Sequence, residues 1–543
     1  MLALSNFNKH VLASSQSTQY PGSPHRANLS PELLEAAARL ESSDLVVVEA
    51  DKGMGVCICS REYAQSALAV HLADARTYKV LQCDADVALV KWRARAHHAM
   101  VALFRVAPEP CQRALERTTL PVFRTLPKIH KMGGGITFDS RPITSACNSP
   151  TTLISDTLVK LLAPLTRNDS WTLHSSLDLL RVFERNKTPV PPDTTFLCFD
   201  AVALYTNMPV ADTVRLVCTR FATFYKVPLS HPSVIAVHNL LTLLLVDNMF
   251  VVPSYGPDGS PVVFSQQHGI PMGLSVCVII ANIFVGSIFA PVFRRAHLSG
   301  LVRVFLARGY VDDGIALIQG TVEAIRILVD LLGKAHPCIA ITTVSSTTHA
   351  IFLDMVVSKG ARWASSGHVL LDCKVHTKPG SLHLYIPYSS NHPRGALTAF
   401  ISGEARRFVC LCTDIDDARE QCRVFAEALQ ARGYPLGVIV KELCKIDHSL
   451  RLVYLGLAPK PALDEDAEDA PSTDARTVAF VIPHTPTSAR WGIGEALRTC
   501  FEGVPHLAPV LAWQNAPSLQ HALGLRCLKP PTPAPSPPSP PPA

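Results

Sequence analysis

The chain has 543 residues, of which 48% are hydrophobic and 17% charged, so it is long enough for about two or three domains and most of it is expected to fold. Its formal net charge of +6 is too modest for this mass to indicate a nucleic-acid partner by itself. The sixteen cysteines are scattered and the first residues, MLALSNFNKHVLASS, lack a secretory signal pattern, which excludes a disulfide-stabilised secreted scaffold and predicts an intracellular protein with reduced thiols.

The N-terminal third begins with a polar segment and then shows strand and helix patterns. Residues 1–43 are interrupted by Ser and Pro and predict a loosely ordered segment. The apolar run 45–50 predicts a strand, and Asp51-Lys52-Gly53-Met54-Gly55 predicts the turn that leaves it. Residues 85–106 have the pattern of an amphipathic helix, and the glycines at 133–135 mark a loop.

Positive charge is concentrated in one part of this region. Between Lys91 and Arg141 there are ten Lys or Arg residues (91, 93, 95, 105, 113, 117, 124, 128, 131 and 141) and three acidic residues (109, 116 and 139). This local excess suits a surface that faces phosphate groups. An ordinary solvated face has the same composition, so the charge alone leaves both interpretations open.

The middle of the chain alternates between strand and helix patterns. Residues 195–200 predict a strand, 304–318 a hairpin, and 350–357 and 369–376 further strands. In residues 414–431 the apolar side chains recur at the spacing of one helix face. This part of the chain is therefore predicted to contain both strands and helices.

A long apolar run at 274–293 contains no charged residue and is long enough to cross a membrane. It follows the polar stretch QQHGIPMG directly and contains Asn282 and a proline near its end. We therefore predict a helix buried in a large core. A membrane protein built around this run is the alternative.

The segment Tyr310-Val311-Asp312-Asp313-Gly314 lies between two β-prone runs, so both carboxylates are expected at a hairpin turn. Two neighbouring carboxylates are costly unless a cation or a proton offsets their charge. Mg²⁺ prefers oxygen ligands of this kind. Asp-Asp-Gly is also an ordinary turn sequence, so this motif alone does not decide the matter.

Asp200 ends the predicted strand 195–200, where its side chain can project into a cleft. Nucleotidyl transfer uses two metal ions ~3.5–4 Å apart, which carboxylates from two strands can bridge. On its own, an Asp after an apolar strand is commonly a cap or turn residue.

A glycine-rich loop, Gln266-Gln267-His268-Gly269-Ile270-Pro271-Met272-Gly273, precedes the apolar run. Gly269 and Gly273 lack a Cβ atom and would let the backbone approach a flat base pair closely. A simple loop before a buried helix is the alternative.

The order of these three motifs resembles the palm of reverse transcriptases. Within that superfamily the chain resembles Penelope-like retroelements of the endonuclease-lacking type, which are related to telomerase-type reverse transcriptases. Ordered segments from about residue 45 to 457, and more faintly to 528, carry the resemblance. They are Asp51-Lys52-Gly53, Leu126-Pro127-Lys128-Ile129-His130-Lys131, Arg141-Pro142-Ile143-Thr144-Ser145, Ser149-Pro150-Thr151, Phe352-Leu353-Asp354, Thr377-Lys378-Pro379, Ser390-Asn391-His392-Pro393 and Ala516-Pro517-Ser518-Leu519.

The resemblance implies an α+β fold of the right-hand polymerase type, with fingers, a palm built on an antiparallel sheet, and a helical thumb. The implied regions are 44–180 (N-terminal region and fingers), 181–385 (palm) and 386–457 (thumb). Beyond them, composition predicts an acidic linker at 458–476, a small C-terminal region at 477–528 and a proline-rich tail at 529–543.

The resemblance also assigns roles to residues. Asp200, Asp312 and Asp313 would bind two Mg²⁺ ions, with Mn²⁺ as a possible substitute. Tyr205 would be a steric gate against a 2′-hydroxyl, a buried core tyrosine being the alternative. The floor of the nucleotide site would be formed by Gln266, Gly269, Met272 and Gly273.

Lys128 and Arg141 resemble residues that grip the triphosphate, and surface ion pairs are the alternative for both. Lys378 and Pro379 resemble a primer-holding turn. Arg406, Arg407 and the helix at 414–431 would touch the template–primer duplex, although an ordinary packed helix fits equally well. No role is implied for Asp51-Lys52-Gly53.

The pattern departs from the family in three places. Family members often have an acidic residue before the Phe-Leu-Asp segment, whereas this chain reads Thr342-Thr343-Val344-Ser345-Ser346. The family continues Met-Gly with Ser-Pro-Leu-Ser-Pro, whereas this chain continues Leu274-Ser275-Val276-Cys277, which leaves open how the following helix starts. No tandem GIY-YIG motif follows residue 457, which suggests a polymerase without nicking activity that depends on free 3′ ends.

The function implied is RNA-directed DNA synthesis on an RNA template from a DNA primer or target with dNTPs, without a membrane. Nuclear location follows only from the family's need to reach chromosomal DNA. Two alternatives remain: an RNA-templated RNA polymerase, which the Tyr205 gate disfavours, and a catalytically decayed nucleic-acid-binding protein with the same fold.

Overall fold

The computed structural model describes residues 31–53, 55–104, 108–129, 139–167, 169–256, 258–378, 383–390, 392, 394–459, 476–483 and 507–514. The chain divides into two compact units. The larger unit is built mainly from residues 46–381, and the smaller, here called the helical unit, from residues 1–45 and 382–527.

The strands of the described residues are distributed over both units. They are β1 (Leu45–Glu49), β2 (Val56–Ser60), β3 (Tyr78–Val80), β4 (Val122–Pro127), β5 (Ser140–Ser145), β6 (Thr195–Ala201), β7 (Met249–Val252), β8 (Val262–Gln266), β9 (Arg303–Tyr310), β10 (Asp313–Gln319), β11 (Ile341–Ser346), β12 (His349–Phe352), β13 (Met355–Ser358), β14 (Asp372–Val375), β15 (Arg476–Pro483) and β16 (Leu507–Gln514).

The α-helices of the described residues are α1 (Pro31–Ser42), α2 (Arg61–Leu72), α3 (Ala85–Phe104), α4 (Pro108–Glu116), α5 (Pro150–Arg167), α6 (Ser176–Glu184), α7 (Leu204–Asn207), α8 (Val210–Tyr225), α9 (Pro232–Leu245), α10 (Ser275–Leu298), α11 (Val322–Gly333), α12 (Ala361–Ser365), α13 (Arg394–Leu411), α14 (Ile415–Gln430), α15 (Leu436–Leu443) and α16 (Arg451–Tyr454). Short 3₁₀ turns lie at Asp51–Gly53 and His448–Leu450.

The main sheet of the larger unit has four antiparallel strands in the order β11-β6-β10-β9. The central strands β6 and β10 are rich in β-branched and aromatic residues, which favour extended backbone, and most of their side chains are buried. The predicted strand at 195–200 and the predicted hairpin at 304–318 are both confirmed.

Helix α10 forms the centre of the core beside this sheet. Among the described residues it is the one helix long and apolar enough to cross a membrane. Most of its apolar window, 61%, is buried inside the protein, against β9 and helices α5, α8 and α11. A helix that is apolar on all sides is typical of a large core, so the predicted core helix is confirmed.

A second, five-stranded sheet has the order β3-β8-β7-β4-β5. Its buried face is an aromatic cluster in which the Phe123 and Phe250 rings stack at 5.0 Å between centroids, with Tyr78 packed edge-on against both. Strands β4 and β5 pair as an antiparallel hairpin, with Leu126 opposite Arg141. This sheet therefore carries two residues of the basic segment, Arg124 and Arg141.

A third sheet, β12-β13-β14, corrects one prediction. Residues 350–357 were expected to be one strand, but they form two strands joined at Leu353-Asp354. Leu353 has φ +55, a left-handed conformation that ends a strand. Strand β14 is a shorter form of the strand expected at 369–376.

The helical unit contains α13, α14 and α15 around an aromatic core in which Phe425 contacts Tyr385, Phe400 and Phe408. Helix α14 corresponds to the helix predicted at 414–431. It begins after Asp414, whose side chain accepts from two backbone N–H groups of the first turn.

The described ends of this unit add one correction. Residues 31–42 form helix α1, where a loosely ordered segment was expected. The run Pro-Glu-Leu-Leu-Glu-Ala-Ala-Ala has strong helix formers after a proline at the first position. In the C-terminal region β15 and β16 pair in parallel. Residues 460–475 of the predicted linker at 458–476, the tail at 529–543 and the loop at 133–135 lie outside the described residues.

Candidate active site

The candidate site lies at the turn between β9 and β10. Tyr310 and Asp313 form the last cross-strand pair of the hairpin, and Val311-Asp312 make the turn. Val311 has φ +55, which is rare for a β-branched residue and costs free energy. Its N–H donates to Oδ1 of Asn282 at 3.0 Å, so the core helix α10 holds this turn in its unusual conformation.

Asp200 lies beside this turn. In the register of β6 and β10 it is directly opposite Asp313, and the N–H of Ala201 donates to the carbonyl of Asp312 at 2.9 Å. Residues directly opposite in an antiparallel pair have Cβ atoms roughly 4.5–5.5 Å apart on the same face of the sheet. The structure therefore brings all three predicted carboxylates together from two distant parts of the chain.

The proximity of these carboxylates affects the pKa of Asp313. Burial, followed by the negative charges of Asp312 and Asp200, raises that pKa from 3.8 to about 6, while the positive charges of Lys378 and Lys52 act in the opposite direction. A cation among the three side chains would favour their ionised forms.

The carboxylate oxygens of the site are ligands of the kind that Mg²⁺ prefers, but they do not form a complete metal site without a substrate. Among the described residues no group of three His, Cys, Asp or Glu side chains already surrounds a single point. Mg²⁺ is commonly held by one or two carboxylates, with waters and substrate phosphates as its other ligands. Asp200, Asp312 and Asp313 could supply that share.

Two glycines of the hairpin are required by aromatic packing. A Cβ atom at Gly314 would overlap the ring of Phe199, and one at Gly309 would overlap Trp171. Phe199 in turn contacts Phe289 of α10 at 5.3 Å between centroids. The glycine after the two aspartates therefore allows Phe199 to pack directly beneath the turn.

Tyr205 lies on the one-turn helix α7 that follows β6, and its side chain is half-buried. Burial raises the pKa of its hydroxyl, and the charge of Asp312 contributes in the same direction. Its carbonyl accepts from the N–H of Ile270 at 2.8 Å. The hydroxyl of Tyr205 is therefore within range of the charge of Asp312, and the backbone of Tyr205 is joined to the glycine-rich loop.

The side chain of Gln266 is turned into the protein, where it shapes this loop. It is 3% exposed; its Oε1 accepts from Asn248 Nδ2 at 3.1 Å, and its Nε2 donates to the carbonyl of His268 at 3.0 Å. In this structure Gln266 is thus a residue that holds the loop in position.

The glycines of the loop make close approaches to the chain's own backbone. Gly269 has φ +71, and a Cβ there would lie 2.7 Å from the carbonyl oxygens of Tyr205 and Thr206. Gly273 has φ +138, and a Cβ there would overlap the carbonyl of Thr144. The carbonyl of Met272 accepts a hydrogen bond from the N–H of Thr144 at 2.7 Å. Glycine is therefore required at both positions by contacts within the protein. The predicted close approach of these glycines to a base pair stays a prediction.

The start of α10 shows how the departure Leu274-Ser275-Val276-Cys277 is accommodated. The N–H of Val276 donates to the hydroxyl of Ser155 in α5 at 3.0 Å, and the hydroxyl of Ser275 donates to Asp156 at 2.7 Å. A side chain from another helix thus caps the first turn of α10.

Lys128 and Arg141 are both in ion pairs. Lys128 Nζ lies 2.6 Å from Asp139, and Arg141 Nε lies 3.1 Å from the buried carboxylate of Asp51. Surface ion pairing was the alternative for these two residues. The Lys128–Asp139 pair is of that kind, whereas the Asp51 carboxylate that pairs with Arg141 is buried. If these residues bind phosphate, they must do so through N–H groups that do not already donate to Asp139 or Asp51.

Other arginines of the basic segment are paired as well. Arg95 pairs with Asp247 and Arg124 with Glu49, both carboxylates from outside the segment. The local positive excess counted from the sequence is therefore partly neutralised by the fold. Lys378 is close enough to influence Asp313, and Pro379 lies outside the described residues.

In the helical unit, Arg407 pairs with Glu404 at 2.8 Å and Arg406 lies over the ring of Tyr454 at 5.1 Å. The arginines of α14 are paired along their own helix, Arg419 with Asp416 and Arg423 with Glu420 and Glu427. This self-neutralised face does not favour the predicted contact with a phosphate backbone.

Sequence reasoning missed three contributors to the site: Asn282, Trp171 and Asp51. Asn282 had a detectable signal, because it is a polar residue in an otherwise apolar helix. Trp171 and Asp51 reach the site only through tertiary packing, for which no local pattern exists.

Comparison with known proteins gives one family match and a set of structural neighbours. Residues 384–443 match the family described as the animal helix-turn-helix domain, a range that contains α13, α14 and α15. No curated protein sequence matches the chain.

The neighbours are polymerases. The telomerase from Candida albicans, in complex with the TWJ fragment of telomeric RNA, aligns with a TM-score of 0.50 at 12% identity and covers 77% of this chain and 68% of its own. The apo telomerase from Candida tropicalis aligns at 0.41 and 12% identity, covering 83% and 76%. The BmCPV RNA-dependent RNA polymerase aligns at 0.38 and 10% identity, covering 73% and 34%. At this identity the likeness to the first structure establishes a shared α+β polymerase-type fold.

Proposed function

We propose that this chain is an RNA-directed DNA polymerase of a Penelope-like retroelement that adds nucleotides to a primer 3′-hydroxyl. The observation that carries the proposal is the meeting of Asp200, Asp312 and Asp313 at one end of the four-stranded sheet. Its partners would be an RNA template, a DNA primer or target, and dNTPs, and it would work in the nucleus. The ordered motifs that resemble this family support these finer assignments.

The chemistry proposed is two-metal nucleotidyl transfer. Two Mg²⁺ ions, or Mn²⁺ in their place, would neutralise charge on the phosphates and activate the primer hydroxyl. Asp200 and Asp312 would be the direct ligands and Asp313 a further one. Val311 and Asn282 fix the turn, so the carboxylates need little rearrangement when substrate binds.

Selection of deoxynucleotides would fall to Tyr205. Tyr205 follows the strand that carries Asp200, and its hydroxyl is within range of the charge of Asp312. The sugar of an incoming nucleotide would lie against its ring, and a 2′-hydroxyl would clash with it. The loop 266–273 is locked to the backbone of Tyr205 and Thr144, and would form the floor beneath the base. In this arrangement the palm comprises the four-stranded sheet and α10, and the fingers comprise the five-stranded sheet.

Primer extension tests the proposal. The wild-type protein, Asp312→Asn and Asp330→Asn are compared on an RNA template with Mg²⁺ or Mn²⁺, with dNTPs or rNTPs. Asp330 is an exposed helix residue paired with Lys334 and serves as the matched control. We expect extension with dNTPs, a loss on the order of 10²–10³-fold in Asp312→Asn, and near-normal activity in Asp330→Asn.

Two results would contradict the proposal. If the folded wild-type protein binds the duplex but extends it no better than Asp312→Asn does, it is a binding protein with a polymerase fold. Preferential use of rNTPs would make it an RNA polymerase.

A further inference from the structure

The turn Asp51–Gly53 contacts the candidate site at a point to which no role has been given. Asp51 is buried, its side chain 6% exposed, while its partner Arg141 is 38% exposed. Arg141 donates through Nε to Oδ1 at 3.1 Å and through Nη2 to Oδ2 at 3.4 Å. A two-point contact of this kind fixes the plane of the guanidinium group.

The pairing leaves Arg141 able to bind a second anion. A guanidinium has five N–H donors, and the Asp51 carboxylate uses two of them. A buried carboxylate that lost its partner would be left as an uncompensated charge. Asp51 therefore holds Arg141 strongly without consuming its capacity to bind phosphate.

A second ion pair attaches the same segment to the other strand of the hairpin. Glu49, at the end of β1, lies 3.3 Å from Arg124 of β4, and Arg141 is in β5. Both side chains of the Glu49–Arg124 pair are more than two-fifths exposed. The strand β1 and its turn are thus attached to both strands of the β4–β5 hairpin, but only the Asp51 contact is buried.

Lys52, the residue between Asp51 and Gly53, differs from its neighbour in exposure and in backbone conformation. It is exposed while Asp51 is buried, and it has φ +59, a conformation uncommon outside glycine. Its positive charge acts on Asp313. One turn thus holds a carboxylate against Arg141 and carries, on the next residue, an exposed positive charge.

We propose that the Asp51-Lys52-Gly53 turn is part of the nucleotide site, where Asp51 positions Arg141 and Lys52 binds the triphosphate of the incoming nucleotide. This inference rests on the proposed polymerase function. Lys52 would be a substrate-binding residue, and Asp51 a positioning residue that acts through Arg141.

Steady-state addition of a single nucleotide by the full chain tests this inference, with KM for dNTP, kcat and affinity for primer–template measured separately. Asp51→Asn and Lys52→Gln should each raise KM for dNTP by about tenfold, the effect of losing one charge-assisted hydrogen bond. Affinity for primer–template should stay unchanged. Lys52→Arg keeps the charge and should recover most of the wild-type KM.

Glu49→Gln is the matched control, because it removes an ion pair between the same segment and the same hairpin. An exposed pair contributes little, so KM for dNTP should change by less than about threefold. A purely structural role for the segment would predict similar effects in Glu49→Gln and Asp51→Asn.

A double variant separates positioning from direct binding. If Asp51 acts through Arg141, Asp51→Asn combined with Arg141→Gln should be no worse than Arg141→Gln alone. Independent, multiplying effects would overturn the positioning role of Asp51. An unchanged KM in Lys52→Gln, which alters an exposed side chain, would overturn the role of Lys52.

A fluorescence titration that measures binding of dNTP to the protein–duplex complex tests the inference independently of turnover. If the wild-type protein extends primers but the variants bind dNTP normally, the inference fails and the polymerase function stands. If no extension occurs but dNTP binding depends on Lys52 and Asp51, the proposed function fails and the nucleotide site remains. A wild-type complex that binds no dNTP overturns both.

Discussion

At the residue scale, the site places carboxylates close together, and at Asp313 burial and the charges of Asp312 and Asp200 outweigh the opposing charges of Lys378 and Lys52. Asp313 is opposite Asp200 in the sheet and adjacent to Asp312 in the chain, and its pKa is about 6. Side chains arranged in this way are unfavourable in the empty protein and become favourable once cations bind. Such a cost is typical of sites that are organised before their substrate arrives.

This charge predicts how the stability of the metal-free protein depends on pH. The folded-state pKa of Asp313 lies above its ordinary 3.8, so the folded protein holds this proton more tightly than the unfolded chain does. Its contribution to the free energy of unfolding is therefore full below pH 3.8 and is lost as pH rises through about 6.

Asp313→Asn has no carboxylate that ionises at this position, so its free energy of unfolding should not fall over this pH range. The variant should therefore be more stable than wild type at neutral pH.

Denaturant unfolding in the presence of EDTA, with wild type and Asp313→Asn compared at acidic and neutral pH, measures the effect. Adding Mg²⁺ at neutral pH should stabilise wild type more than the variant. A difference between the two proteins that does not change with pH would contradict the prediction.

Gly314 gives a second prediction at this scale. An added methyl group would overlap the Phe199 ring, so Gly314→Ala should destabilise the protein by about 1–3 kcal/mol through overpacking. Gly333→Ala is the control, because no atom lies within 4 Å of its Cβ position. Thermal unfolding of both variants measures the difference, and equal melting temperatures would disprove the packing argument.

At the scale of elements, local patterns predicted what each segment is, but not what it contacts. The strand at 195–200, the hairpin and the apolar helix followed from composition and periodicity, because those patterns reflect burial of one element at a time. The Asp51–Arg141 pair and the cap that Ser155 gives to α10 join segments far apart in the chain. No single-segment pattern encodes such pairings, so they required the folded structure.

The contact between α10 and the hairpin turn predicts a positioning role for Asn282. Asn282→Ala removes the acceptor for the N–H of Val311, so the strained turn should relax and primer extension should fall by about tenfold. Ser287→Ala removes a hydroxyl of the same helix that donates to the carbonyl of Ile283, one turn earlier, and its activity should stay near wild type. The measurement is kcat for both variants, and equal values would contradict the positioning role of Asn282.

At the scale of the whole molecule, the net charge gives little information about nucleic-acid binding, and the positions of the charged residues give more. Most of the prediction of an α+β polymerase-type fold came from the order of motifs, and the likeness to the Candida albicans telomerase agrees with it. The sequence could not show which basic residues are neutralised by folding. Arg423 is an example, because both of its acidic partners lie one turn away on its own helix.

This placement predicts which cations contribute to duplex binding. Lys378→Gln should weaken binding of primer–template and reduce the slope of log affinity against log salt by about one, the effect of one lost phosphate contact. Arg423→Gln should leave both quantities unchanged, because its charge is already paired. Salt titrations of binding measure both, and an equal loss in Arg423→Gln would show that α14 does face the duplex.

The position of β6 inside its sheet has a consequence for how the protein moves. Asp200 has Asp313 opposite it on one side and Thr342 on the other, so this strand cannot separate without breaking two ladders of hydrogen bonds at once. Amide hydrogens of β6 should therefore exchange with solvent only when the larger unit unfolds globally. Turnover would then have to depend on motion in the surrounding loops and hairpins, with the carboxylates remaining a fixed reference point throughout the cycle.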